Sequence, residues 1–160
     1  MKKLLILFLL TIVFTQDYSL KFDGIDDYVE VSDVEYLEEY KTTIKFKYFE
    51  ASSTSVIYAH KNQCIRGEGL SVGVTNQGQI ATTSLNCGDC SVPACDTGYD
   101  EGIFGSLEPN KWYELLIYAT GNDEILYYID NEYIGSLQDD EINFNTTRNI
   151  LMGKVIDDNT

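Results

Sequence analysis

The chain has 160 residues, 44% of them hydrophobic and 12% aromatic, with 26 acidic residues against 11 basic ones and a formal charge of −15. That length suits one domain with a proper core, and the aromatic content excludes a disordered chain. The charge disfavours nucleic acid and anionic lipid as partners and leaves divalent cations, glycans and basic proteins open.

The opening "MKKLLILFLLTIVFTQ" places a lysine pair before an apolar run from Leu4 to Leu10 that continues through Ile12, Val13 and Phe14. The run is shorter than the ~20 residues a spanning helix needs, so residues 1–16 read as a secretory signal peptide. An uncleaved N-terminal anchor is the rival reading. Cleavage leaves one extracellular domain over residues 17–160, and no later stretch is apolar enough to span a membrane. Removing Lys2 and Lys3 leaves nine basic residues against 26 acidic ones, a net charge of −17.

In "SLKFDGIDDYVEVSD" (19–33) two strand-like pieces flank a turn holding Asp23, Asp26 and Asp27. A calcium ion needs about six to eight oxygens, usually from more than one loop, and these three carboxylates could supply some of them. Asp23–Gly24 is equally what a tight turn demands, and Asp27 can accept backbone N–H bonds at a strand start. The turn is read as a structural corner first and a calcium site second.

"VEYLEEYK" (34–41) is the one helical candidate, with Leu37 and Tyr40 opposite Glu35, Glu38 and Glu39 and with Asp33 as its cap. Period-two patterning then dominates. Strands are expected at 43–50, 54–60, 69–75, 79–85, 112–120, 124–130, 133–137 and 149–153, with turns at 76–78, 121–123 and 130–132. About ten short strands separated by Gly, Asn and Asp turns make an antiparallel β-sandwich.

Cys64, Cys87, Cys90 and Cys95 are an even set, which in a secreted chain implies two disulfides. The preferred pairing is Cys64–Cys87 with Cys90–Cys95, since it avoids a very small ring. Zinc at "CGDC" is the rival, but a second C-x-x-C is missing. Residues 86–110 form the one long irregular stretch, stapled by at least two of these cysteines. It carries Asp96, Tyr99, Asp100 and Phe104 as candidate ligand-binding residues, with Phe104 equally readable as a buried plug. Trp112, at the head of an apolar strand, reads as core, and Tyr127, Tyr128 and Tyr133 read as cross-strand packing. Asn145 heads an N-glycosylation sequon, "NTT".

Two blocks, "LKFDGIDDYVEV" and "LEPNKWYELLIYATGNDEILYYIDNEYIGS" (107–136), together resemble laminin-G-like jelly-roll domains of the concanavalin A-like lectin and glucanase superfamily. Between them they anchor most of residues 19–153. The resemblance implies an all-β antiparallel jelly-roll sandwich that recognises glycan or extracellular protein, with calcium at the rim in several branches. Asn131 stands where that family usually has Gly, a substitution a left-handed turn tolerates. The chain stops at "KVIDDNT", where the family continues into another strand, so the resemblance implies a sandwich lacking its final strand. The E-x-D-x-(x)-E strand of the glucanases is absent, and His60 has no partner that the sequence nominates, so no enzyme is expected. A purely structural extracellular domain is the runner-up, and a degenerate glycoside hydrolase comes third.

Overall fold

The computed structural model describes residues 20–22, 29–35, 37–50, 52–61, 69–85, 99–138 and 147–153. Among them are ten strands and no helix: β1 (Val29–Glu35), β2 (Glu39–Lys47), β3 (Ser55–Lys61), β4 (Gly69–Val74), β5 (Ile80–Leu85), β6 (Tyr99–Phe104), β7 (Trp112–Thr120), β8 (Glu124–Ile129), β9 (Glu132–Gln138) and β10 (Thr147–Met152). They form two antiparallel sheets, a six-stranded one in the order β1-β10-β3-β4-β5-β6 and a four-stranded one in the order β2-β7-β8-β9. The all-β sandwich expected from the alternation is the fold.

Two expectations need correction. The helix at 34–41 does not form; its residues end β1 and begin β2. A helix of two turns is marginal by itself, whereas β2 pairs with β7 over nine consecutive residues, from Glu39 opposite Thr120 to Lys47 opposite Trp112. Thr42, Thr43 and Ile44, all β-branched, also favour the pleated state. The second correction concerns residues 86–110, where β6 pairs with β5 from Leu85↔Tyr99 to Ile80↔Phe104. Gly102 and the acidic pair Asp100–Glu101 hide that strand from a hydrophobicity reading.

The core lies between the two inner faces. Tyr58, Leu70, Val72, Val74 and Ile80 of the larger sheet meet Leu115, Ile117, Ile125, Tyr127 and Leu137 of the smaller one, all nearly or fully buried. Each such side chain contributes about 1.5–3 kcal/mol relative to exposure. A hydrogen bond of 2.7 Å between Thr82 Oγ1 and the Tyr127 hydroxyl crosses this dry layer from β5 to β8. Phe104 fills the gap between β6 and β9, its ring so close that a Cβ at Gly102 or Gly135 would overlap it.

The turns use left-handed backbone where the sequence offers residues that accept it. Asp130 (φ 51°) and Asn131 (φ 69°) make the two-residue β8–β9 hairpin, the geometry that matches strand twist. Asp130 also ties the hairpin to β7: its N–H donates to the Glu114 carbonyl, and its carboxylate accepts from the Glu114 N–H, both at 2.9 Å. In the β4–β5 turn Gly78 (φ 74°) has no substitute, because a Cβ there would stand 2.6 Å from the Leu107 carbonyl oxygen.

Removing the Tyr127 hydroxyl deprives Thr82 of this partner in a dry interior. Tyr127→Phe should cost about 1–3 kcal/mol in urea denaturation, whereas Tyr128→Phe on the outer face should cost under about 0.5 kcal/mol. The double variant Thr82→Val/Tyr127→Phe should cost less than the sum of its parts; strict additivity would show that the bond carries no stability.

Candidate functional site

Asp23, Asp26, Asp27, Asp96, Asn145, the cysteines Cys64, Cys87, Cys90 and Cys95 and the leader at 1–16 lie outside the described residues. Tyr99 and Asp100 open β6. Phe104 closes that strand and turns inward, where its ring stacks on Tyr127 at a centroid distance of 5.4 Å. The ring is partly buried against the core there. Among the described residues no group of three His, Cys, Asp or Glu is arranged to hold a metal, and no helix is long and apolar enough to cross a membrane.

His60 is buried, 3% exposed. Its ring meets Tyr40 and Tyr58 edge-on at 6.5 and 6.4 Å, with Nε2 3.3 Å from the Val34 carbonyl oxygen. A ring so enclosed packs the interior. Beside it, burial pushes the Tyr58 phenol up to about 12, against the smaller opposing effect of side-chain hydrogen bonds to Thr42 and Tyr40.

The exposed chemistry is on the other side of the four-stranded sheet. In β7 alternation sends Tyr113, Leu115, Ile117 and Ala119 inward and leaves Trp112, Glu114, Leu116, Tyr118 and Thr120 on the outer face. Directly opposed residues share a face, so register extends the pattern across the sheet. Thr43, Leu116, Tyr128 and Tyr133 make one row, and Lys41, Tyr118, Leu126 and Ser136 the next. Lys45 opposes Glu114, and Lys47 opposes Trp112. The Tyr128 and Tyr133 rings meet edge-on at 5.6 Å. Trp112 is 55% exposed, which overturns its expected core role. The reason is parity: with Leu115 and Ile117 inward, Trp112 must point out.

Polar groups border this apolar floor. The Lys41 amine sits 4.2 Å from the Tyr118 ring centroid, and Lys47 sits 5.3 Å from that of Phe49, itself half exposed. Lys111 instead lies over the inward-facing Tyr113, at 5.3 Å, and does not border the outer floor. Lys45 makes an exposed ion pair with Glu114 at 3.5 Å, a contact worth little in water. The floor therefore combines ring faces with amines at one margin and hydroxyls at Tyr118, Tyr128, Tyr133, Thr43 and Ser136. Such a surface can hold the apolar face of a ring while hydrogen bonding its rim.

Comparison with known proteins finds no matching family model and no matching curated protein. Solved structures do match. A CBM40 domain of the Ruminococcus gnavus IT-sialidase, bound to alpha2,3 sialyllactose, aligns with 84% of this chain and 81% of its own at a TM-score of 0.59 and 13% identity. The binding domain of botulinum neurotoxin serotype D aligns at a TM-score of 0.60 and 15% identity, covering 82% of this chain and 33% of that one. Mouse laminin alpha1 domains LG4-5 align at 0.52 and 14%, over 82% and 32%. The shared fold is a two-sheet jelly-roll β-sandwich. The first of these neighbours is described as bound to a sugar and the second as a binding domain.

Because Trp112 is half in solvent, Trp112→Ala should cost under about 1 kcal/mol, while Leu115→Ala on the same strand should cost about 2–5 kcal/mol; equal losses in thermal melts would place Trp112 back in the core. Tyr58 gives a pH signature. Its folded value lies above the ordinary 10.0, so its stabilising contribution is intact below pH 10 and is lost as pH rises toward about 12. Denaturation midpoints should fall across that window in the native chain and fall less in Tyr58→Phe.

Proposed function

We propose that this protein is a secreted, non-catalytic recognition module that binds glycan through the outer face of its four-stranded sheet. The observation that carries the reading is the pair of rows Thr43–Leu116–Tyr128–Tyr133 and Lys41–Tyr118–Leu126–Ser136. They place apolar and aromatic side chains where a half-solvated sheet ordinarily carries polar ones. A sheet face that leaves leucines and tyrosines half-buried, and Trp112 and Tyr133 exposed, without another layer over it among the described residues suits recognition by its chemistry.

The fold supports the same reading, since a sialidase domain of this architecture is described as bound to sialyllactose. Sugars suit such a floor because their axial C–H bonds pack on aromatic faces and their hydroxyls reach the polar margin. Secretion rests on the leader at 1–16 and calcium on the aspartate turn. Both belong to the proposal, and neither is needed for the face to bind.

The test is a glycan array probed with the chain and with Tyr118→Ala and Tyr128→Ala, both outer-face tyrosines. The native chain should bind a restricted set of glycans, and each variant should lose about 10-fold or more in affinity without a change in melting temperature. Unchanged binding by both variants would move the site off this face. An array without any binder, together with capture of an extracellular protein through the same residues, would replace glycan by protein as the partner.

A further inference from the structure

We infer that the open edge of β2 takes up an extended segment of a partner protein, one that alternates apolar and acidic residues. The inference stands apart from the glycan reading, because it concerns the lateral edge of the sandwich and not the outer face. It starts from the unequal size of the two sheets. The His60 ring of β3 meets Tyr40 of β2, Thr82 of β5 bonds to Tyr127 of β8, and Phe104 of β6 abuts Gly135 of β9. With the two strand orders, these contacts set the smaller sheet over β3 to β6. Strands β10 and β1 extend beyond it, with no strand opposite them among the described residues.

Burial follows that offset. On β4 and β5 the inner residues Leu70, Val72 and Ile80 are fully buried. On β1 and β10 the inner positions carry Val29, Val31, Val34, Ile150 and Met152, aligned by Val29↔Met152 and by Val31↔Ile150↔His60. None of these five is fully buried, and Val31 is 45% exposed. Strand β2 shows the same deficit, since Tyr40, Ile44 and Phe46 pack against the core yet stay only partly buried. The opposite flank differs, because Phe104 fills the gap between β6 and β9. One side of the sandwich is closed. The other is an apolar shelf beside a strand edge.

Two features define what fits there. Strand β2 runs nine residues against β7 without a bulge, so its other edge offers a regular ladder of N–H and C=O groups that suits another strand. With strands ~4.8 Å apart and sheets about 10 Å apart, a strand added to that edge lies above β10. Its inward side chains would cover Ile150 and Val31, which requires them to be apolar. Its outward side chains would stand beside Lys41, Lys45 and Lys47, at outer positions of β2. Opposite charges on neighbouring strands attract and like charges repel, so acidic residues suit those places. Lys45 already pairs with Glu114, but that exposed contact is worth little in water. A second copy of the chain does not fit. Paired antiparallel through β2, it would drive its own β3 into the layer that holds β10. Paired parallel, it would turn its lysines onto the apolar shelf.

The test is fluorescence anisotropy with the full chain and a labelled nonapeptide that alternates Glu and Val. Three control peptides accompany it: Lys in place of Glu, the same composition with the alternation shuffled, and a copy N-methylated at every residue. The Glu–Val peptide should bind at least 10-fold more tightly than each control, and more weakly as salt rises. Val31→Lys, at a half-exposed position of the shelf, should weaken binding about 5-fold with little change in melting temperature. Lys45→Glu/Lys47→Glu should weaken it similarly and tighten binding of the Lys–Val peptide. Hydrogen exchange should slow at the amides of β2 when the peptide is bound. Equal affinity for the Lys–Val or the N-methylated peptide would overturn the inference, as would protection that spares β2. Failure of the full chain to bind any of the peptides would also overturn it, since the edge would then be closed to a partner. None of these outcomes bears on the glycan reading.

Discussion

The parity of β7 is the constraint on which the rest depends. This central strand of the smaller sheet pairs with β2 on one side and β8 on the other. Its alternation decides at once which residues meet the core and which meet solvent. Leu115, Ile117 and Ala119 close against the larger sheet, so Trp112, Leu116 and Tyr118 have to face out. A slip of one residue would exchange the two sets and destroy core and candidate site together. Register is protected on both sides of the strand's start. Asp130 clamps the β8–β9 hairpin to Glu114, and Tyr48 exchanges backbone hydrogen bonds with Lys111 and Asn110 beside the start of β7.

Much of this was legible in the sequence, and the exceptions have physical causes. Alternation in "WYELLIYAT" and "EILYYID" and the Asp-Asn turn revealed the fold, because one buried face imposes period two on a strand. The helix expected at 34–41 failed because spacing within eight residues says nothing about the nine-residue partner strand Trp112–Thr120. The outer face was the larger omission. Leu116, Tyr118 and Leu126 receive no role in the alternation reading, although apolar residues at both parities mean that both faces carry apolar material. Phe104 shows the opposite difficulty: only the approach of β6 to β9 reveals that its ring fills the space left by Gly102 and Gly135.

Electrostatics and packing then act on the same strip. The chain is acidic as a whole, so Lys41, Lys45 and Lys47 along β2 contrast in sign with most of its charge. Such contrast selects and orients a ligand more than it tightens binding. The rings beside these lysines supply the apolar contact area that exposed charge cannot. The same lysines also keep β2, an edge strand of the four-stranded sheet among the described residues, from pairing with basic strands.

Trp112 is the chain's single tryptophan, and it stands half exposed beside Lys47 on the face in question. Its emission is therefore a one-site reporter of occupancy, which makes a fluorescence titration with a bound glycan, read with acrylamide quenching, the most direct measurement. The account requires a blue shift and reduced quenching that saturate at the same ligand concentration as a calorimetric titration. A calorimetrically saturating ligand that leaves both the emission and the quenching of Trp112 unchanged would contradict it.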